Sequence, residues 1–195
     1  LANLQDFVCC PQVEAPLICD ITCSPAVVRR FAGSVRFYTS RFHPLALLDR
    51  MRGAGLLPQE IPPLGSVGVA ALRIALEITD GPVLITGLDF SYTRGRTHSR
   101  STPFHVLALQ SATRLEPVVQ PGYRALLSRP LLMLTGKGGG EVMTDLVLQG
   151  YSASAARMAV ESGRVFDLDD EGLRTGIPRA READRLKELW ESAAD

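Results

Sequence analysis

Four polar side chains suited to chemistry follow the most apolar short segment of this sequence. Residues 83–87 are apolar and bounded by turn residues, which predicts a buried strand. Asp89 comes directly after it, and Tyr92, Thr97 and His98 follow in a polar loop. In an open α/β sheet, ligands bind beyond the carboxyl ends of the strands. We therefore predict that Asp89 orients a ligand hydroxyl or a metal-bound water and that His98 is an acid or base, with Tyr92 and Thr97 lining the pocket.

The same loop has plain structural alternatives. Asp89 could be a turn aspartate that accepts a hydrogen bond from a nearby backbone N–H. His98 could be a hydrogen-bonded histidine in a solvated loop. Arg94 and Arg96 could bind phosphate in bidentate fashion or simply face water.

Gly65 and Ser66 stand before a segment that predicts a helix running to about Thr79. The free N–H groups and the dipole at a helix start attract phosphate or carboxylate groups. Glycine also lets a ligand approach the backbone closely. An ordinary capped helix would look the same, but we predict that both residues contact an anionic part of the ligand.

Asp20 and Thr22 end an earlier predicted strand, residues 16–23, much as Asp89 ends its own. In a parallel sheet the carboxyl ends of the strands lie at one edge. The prediction is therefore that Asp20 and Thr22 bind the same ligand as Asp89.

The remaining elements alternate between short strands and helices. Ser24 and Pro25 are typical of an N-cap and first helical residue, and residues 165–168 predict a last strand. Residues 141–162 predict one long helix, with Thr144 and Asp145 stabilising its start. This alternation indicates an α/β fold with a mainly parallel sheet and helices on both faces.

Composition limits the classes of partner. The chain has 195 residues, 46% of them hydrophobic and 22% charged, with a formal net charge of zero. Such a chain is typical of a soluble globular domain, and it offers no general electrostatic attraction for nucleic acid. No apolar run is long enough to span a membrane and no signal peptide is visible, so we expect a cytoplasmic protein.

Two further patterns suggest chemistry but do not meet its requirements. The four cysteines lie within the first 23 residues, and the adjacent Cys9 and Cys10 lack zinc-type spacing, so reduced thiols are expected. The segment 135–138 suggests a phosphate loop, but a Walker motif would need glycine at position 131 and serine or threonine at 138. His43 and His105 have no partner pattern and are interpreted as structural.

Three segments of the sequence resemble the MptE-like family. The first reads G-S-V-x-x-x-A-L, the second reads I-T-G-L-D-F-x-Y-x-x-G-x-T-H, and the third lies in residues 171–178. The matching positions are Gly65, Ser66, Val67, Gly87, Asp89, Tyr92, Gly95, Thr97 and His98. This family includes archaeal 6-hydroxymethyl-dihydropterin pyrophosphokinases and bacterial motility-associated Maf proteins linked to flagellin glycosylation.

The resemblance implies a Rossmann-like fold for residues 1–178, followed by an amphipathic helix in residues 179–195. It also implies group transfer from a nucleotide-bearing donor, for which we expect a nucleotide-sugar donor and a protein hydroxyl such as that of flagellin as acceptor. Members carry an upstream Gly-x-Gly-Pro-Ser-Leu motif that this sequence lacks. Since the chain also begins with Leu1, we expect it to be the later part of a longer domain.

Two other functions remain open on the sequence. The first is an ATP-dependent 6-hydroxymethylpterin diphosphokinase, which would need Mg²⁺ held by carboxylates, with Asp20 and Asp89 as the candidates. The second is a binding or scaffold module without catalytic activity. If the chain is instead a glycosyl transferase, we expect no metal site.

Overall fold

The computed structural model describes Leu4, Phe7 and residues 13–42, 44–100 and 102–180. The chain divides into two compact units, Leu1–Pro63 and Leu64–Asp195. The helix expected over residues 179–195 lies outside the described residues except at positions 179 and 180, which are not helical, because Arg179 forms a parallel β-bridge with Asp167. Cys9, Cys10 and His43 also lie outside them.

The first unit holds a parallel three-stranded sheet in which each strand pairs with the next in the chain. Its elements are strand β1 (Leu17–Asp20), helix α1 (Pro25–Val28), strand β2 (Val35–Ser40), helix α2 (Ala46–Gly53) and strand β3 (Glu60–Ile61). Leu17 lies opposite Val35, and Thr39 lies opposite Glu60. The helices provide the crossovers that parallel strands require.

The residue types around helix α1 explain where this helix begins and the state of the two nearby cysteines. The Ser24 hydroxyl accepts a hydrogen bond from the Ala26 N–H at 3.3 Å, and Pro25 occupies the first helical turn, as predicted. Cys19 and Cys23 are free thiols, in agreement with the prediction of reduced cysteines. Burial, with a contribution from Cys23, raises the pKa of Cys19 to about 11, so this thiol stays protonated at neutral pH.

The second unit contains a parallel strand pair and an antiparallel hairpin. Its elements are helix α3 (Val67–Ile78), strand β4 (Val83–Ile85), a 3₁₀ turn (Thr93–Gly95), helices α4 (Pro103–Ser111) and α5 (Gln120–Leu127), strands β5 (Leu131–Thr135) and β6 (Glu141–Asp145), helix α6 (Leu146–Ser162) and strand β7 (Val165–Asp167). Strands β4 and β7 are parallel, with Val83 opposite Val165 and Ile85 opposite Asp167.

The core of the second unit lies between the β4–β7 pair and two helices. Val69 of α3, Ala155 of α6 and Val165 of β7 are at most 1% exposed, and they belong to one apolar cluster. Burial of such side chains is the main stabilising contribution to a domain of this size. The cluster holds the strand ends in place, and the residues beyond those ends form the region described below.

The prediction of a single helix over residues 141–162 is wrong at its start. Residues 141–145 form β6, which pairs with β5 through a turn of consecutive glycines at 138–140. The helix begins only after Asp145, whose carboxylate accepts the Leu148 N–H at 2.8 Å. Asp145 therefore stabilises the helix start as predicted, whereas Thr144 belongs to the strand.

The fold class is confirmed at the level of a mixed α/β chain with parallel strands. The strands of the described residues pair in three small sheets, of three, two and two strands. None of the helices in the described part of the chain has the length and apolar character needed to cross a membrane.

Candidate functional site

The loop of residues 87–92, which follows β4, is held by three hydrogen bonds to two other segments of the second unit, Leu173 and strand β6. The Leu173 N–H donates to the Asp89 carbonyl at 2.7 Å. The Thr144 hydroxyl donates to the Phe90 carbonyl at 2.8 Å. The Tyr92 N–H donates to a carbonyl of β6 at 2.7 Å. Segments distant in sequence therefore hold this loop in a single conformation.

The backbone of this loop adopts a conformation that side chains rarely take. Phe90 has a φ of 49°, and it is the one non-glycine residue with positive φ among the described residues. Such strain persists where surrounding contacts enforce it, and it is concentrated at functional sites. Gly172 has a φ of 98°, and a Cβ there would lie 2.6 Å from the Asp89 carbonyl oxygen. Only glycine therefore fits at position 172.

Four acidic side chains and one lysine surround the carboxyl ends of β4 and β7. We call Asp89, Asp167, Asp169 and Glu171 the carboxylate cluster. Burial raises the pKa of Asp89 above its usual value, and Asp169 raises it further, while Lys137 lowers it. Asp89 is thus a partly buried carboxyl group whose ionisation depends on the charges of its neighbours.

The Asp169 carboxylate is occupied by the start of the loop. Its Oδ1 accepts the Thr86 hydroxyl at 2.8 Å, and its Oδ2 accepts the Gly87 N–H at 2.6 Å. By contrast, no hydrogen bond among the described residues uses the Asp89 carboxylate. Among the three aspartates of the cluster, Asp89 is therefore the one whose carboxylate is free to accept a hydrogen bond from a ligand.

Two hydroxyls of the same loop are buried without a partner. Neither Ser91 Oγ nor Thr93 Oγ1 has a hydrogen-bond partner within the described residues. An unpaired buried hydroxyl is costly, so such groups point to a ligand or an ordered water. Thr93 lines a cavity of about 560 Å³ together with Tyr92, Gly95 and the glycine-rich turn.

Tyr92 is committed to a structural contact in this structure. Its hydroxyl donates to Asp145 Oδ2 at 2.7 Å, and Arg129 Nη1 donates to the same oxygen at 3.2 Å. Burial and the Asp145 carboxylate raise the pKa of Tyr92. Burial alone would raise the pKa of Asp145, but hydrogen bonds from Leu148, Tyr92 and Arg129 hold it below its usual value.

His98 and Thr97 lie together at a second cavity, of about 610 Å³. The His98 ring stacks on Phe104 with centroids 4.0 Å apart, and its Nδ1 is 3.0 Å from Thr97 Oγ1. Burial lowers the pKa of His98, which favours the neutral ring at pH 7. A neutral imidazole can accept a proton from a ligand hydroxyl. Gly95 lines both cavities, so they adjoin.

Gly65 and Ser66 lie at the start of α3, as predicted. Gly65 has a φ of 72°, and a Cβ there would approach the Tyr151 ring to 2.7 Å. The Ser66 side chain makes no capping hydrogen bond, so its hydroxyl is not used by the helix. One turn later, a Cβ at Gly68 would meet the Leu88 side chain at 2.5 Å. The first turn of α3 therefore packs against the 87–92 loop.

Asp20 and Thr22 belong to the first unit, and their contacts there are structural. Asp20 Oδ1 accepts the Thr22 N–H at 2.8 Å and the Thr22 hydroxyl at 2.6 Å. Its Oδ2 accepts the Ser40 N–H at 2.8 Å. The carboxylate thereby joins the ends of β1 and β2. Its convergence with Asp89 stays a prediction.

Over residues 13–42, 44–100 and 102–180, no group of three or more His, Cys, Asp or Glu side chains is arranged to hold a metal ion. The carboxylate cluster is therefore not a preformed Mg²⁺ site in this conformation.

Sequence patterns did not predict a site role for three charged residues of this region, Lys137, Asp167 and Asp169. For the two aspartates a signal was present, because residues 165–169 repeat the pattern of an apolar strand followed by acidic residues. Lys137 was not predicted as a site residue, because its segment lacks the Walker spacing. The residue lies in the hairpin turn between β5 and β6 and not in a phosphate loop.

Comparisons with known proteins add a distant relative. No family model matches the chain, and no solved structure matches it. A protein of Treponema pallidum (strain Nichols), described as an uncharacterized protein, is 32% identical over 159 residues, which cover 80% of this chain and 27% of the relative. The chain therefore spans about a quarter of the length of the relative it matches.

Proposed function

We propose that this chain is part of a nucleotide-dependent transferase of the MptE-like type, most closely similar to the Maf proteins. It would transfer a glycosyl group, such as a nonulosonic acid, from a nucleotide-sugar to a protein hydroxyl. The observation that carries the proposal is the Asp89 carboxyl, which is partly buried beyond the end of β4 and is not used by any hydrogen bond among the described residues.

The neighbouring groups support the same reading. Thr93, whose buried hydroxyl has no hydrogen-bond partner among the described residues, lines one cavity, and His98 lines the adjoining one. Their volumes, about 560 and 610 Å³, lie in the usual range for small-molecule sites. Together they offer room for a nucleotide and its sugar.

Each residue has a role in this proposal. Asp89 orients the acceptor hydroxyl, and His98 takes its proton as the oxygen attacks the anomeric carbon. The bond from that carbon to the phosphate oxygen breaks, and the nucleotide leaves with the bonding electrons. Gly65 and Ser66 contact an anionic part of the donor at the start of α3, and Tyr92 and Thr97 line the pocket.

A Rossmann-like arrangement of the whole chain is part of the proposal. It is supported by the parallel pairing of β1, β2 and β3 in one unit and of β4 and β7 in the other. Helix crossovers between parallel strands are typical of nucleotide-binding α/β folds.

Calorimetric titration of the full-length protein with CMP, ATP and GDP, with and without Mg²⁺, tests the function. Binding of CMP supports sugar transfer. Binding of ATP only with Mg²⁺ would instead support the diphosphokinase. The absence of binding to all three would support a non-catalytic module.

Two variants make the titration specific to the site. Asp89→Asn should abolish or strongly reduce transfer while nucleotide binding is retained, because a neutral amide oxygen accepts the hydrogen bond of the acceptor hydroxyl more weakly than a carboxylate does. Asp80→Asn is the matched control, since Asp80 is an exposed turn residue before β4. Equal binding and transfer by both variants would remove Asp89 from the site.

A further inference from the structure

The lysine of the glycine-rich turn is buried among carboxylates. The sequence has only two lysines among its 21 basic residues, at positions 137 and 187. The Lys137 side chain is 4% exposed, and its Nζ lies 2.7 Å from Asp167 Oδ2, on a side chain that is 2% exposed. A buried charge is tolerated only when it is paired, so the position of this ammonium group is specified by the fold.

The backbone around Lys137 is tied to the same segment that holds Asp89. The Lys137 N–H donates to the Gly172 carbonyl at 2.9 Å, and the Arg174 N–H donates to the Thr135 carbonyl at 3.1 Å. Leu173, between these two residues, donates its N–H to the Asp89 carbonyl. The hairpin turn and the 87–92 loop are thus bonded to opposite sides of one short segment.

The charged groups that act on Asp89 are three acids and one lysine. Asp169, Glu171 and Asp167 each repel charge on Asp89, and Lys137 is the cation that attracts it. The Asp167 carboxylate also accepts the Asp169 N–H at 3.0 Å, so the pair is part of the cluster's own hydrogen bonding. Lys137 therefore acts on Asp89 through space and on the loops through Asp167.

We propose that Lys137 is a positioning residue of the candidate site, which pairs with Asp167 inside the carboxylate cluster and keeps Asp89 charged and available to a ligand hydroxyl. The importance of Lys137 for activity rests on the proposed function. The effect of Lys137 on the charge of Asp89 is independent of that function, because it is a property of the protein without a ligand. A merely structural lysine would stabilise the fold without changing the titration of Asp89.

The test is the titration of Asp89 in the free full-length protein, labelled with ¹³C at the aspartate carboxyl carbons. Asp89→Asn identifies the signal. In Lys137→Met the midpoint of the Asp89 titration should move upward, since a nearby opposite charge lowers an acid's pKa and its removal raises it. In Lys137→Arg, which keeps the positive charge, the midpoint of the Asp89 titration should lie closer to the wild-type value than in Lys137→Met.

Two further variants serve as controls. Arg164→Met removes a cation at the other end of the β4–β7 pair and should leave the midpoint unchanged. If Lys137→Met does not fold, Lys137→Met with Asp167→Asn removes both buried charges. The midpoint should still rise in that double variant, but by less, because the attraction of Lys137 exceeds the repulsion of Asp167.

The outcomes separate this inference from the proposed function. An unchanged midpoint in the folded Lys137 variants would overturn the role of Lys137, whatever the protein binds. A raised midpoint in a protein that binds no nucleotide would leave the role of Lys137 standing and remove the transferase.

Discussion

At the amino end of the β4–β7 pair, Arg164 donates to the carbonyls of Leu76, Thr79 and Gly81. Its positive charge is matched by neutral backbone acceptors. The carboxyl end holds the four acidic side chains of the carboxylate cluster and a buried lysine paired with one of them, Asp167, and the backbone at Phe90 and Gly172 has positive φ.

The two ends belong to the same strand pair but serve different purposes. At the amino end both terminal nitrogens of Arg164 donate to backbone carbonyls, so this end closes the fold. At the carboxyl end the Asp89 carboxylate and the Thr93 hydroxyl have no hydrogen-bond partner among the described residues. The proposed function places its ligand at this end, beside these unused polar groups and the strained loop.

Gly172→Ala should give the largest effect, and it acts on the carboxyl end. The new Cβ would lie 2.6 Å from the Asp89 carbonyl oxygen, at a φ of 98°. Overpacking and backbone strain together predict a loss of about 3 kcal/mol or more in the free energy of unfolding. Urea denaturation measures it.

Gly139→Ala is the matched control for this change, because Gly139 has a φ of 88° but nothing within 4 Å of its Cβ position. It should cost about 1 kcal/mol, from strain alone. Equal losses in the two variants would mean that the contact between residues 89 and 172 is not tight.

Arg164→Met should destabilise the amino end by about 2 kcal/mol, since hydrogen bonds from a charged donor are lost. Nucleotide affinity should not change in the folded protein. Denaturation and calorimetry measure the two quantities, and Arg157→Met, on the exposed side of α6, is the control for loss of charge. A weakened affinity in Arg164→Met would contradict the division of roles between the ends.

Thr93→Val should weaken ligand binding about three- to tenfold, the contribution of one hydrogen bond, without loss of stability. The hydroxyl has no partner to lose in the free protein. Thr79→Val at the amino end should do the reverse, because the Thr79 hydroxyl accepts the Gly81 N–H at 3.1 Å. Loss of stability in Thr93→Val with unchanged affinity would assign the Thr93 hydroxyl to the fold.

Asp89→Asn should give the smallest change in stability, a slight gain at neutral pH. Because burial raises the pKa of Asp89 in the fold, its contribution to stability is fully present below the usual aspartate pKa and is lost as the pH rises through the raised value. The difference in unfolding free energy between Asp89→Asn and the wild type should therefore grow from acid to neutral pH. A constant difference across that range would show that the Asp89 pKa is not raised.

Much of the local structure followed from residue types. Ser24 and Pro25 predicted the start of α1, and the apolar run after Pro82 predicted β4. The reason is that capping, proline geometry and short apolar runs act over a few residues. The strand at residues 141–145 did not follow, since its pairing with β5 outweighs the local preference.

The candidate site divides in the same way. Residue types placed Asp89 and His98 in a loop after a strand, and the order of these residues is a property of the chain alone. The burial of Lys137 beside Asp167, and the choice of Asp89 rather than Asp169 as the open carboxylate, depend on a hairpin and a loop more than 30 residues apart in sequence. Charge interactions across such separations exist only after the chain has folded, because low solvent exposure and short distances strengthen them.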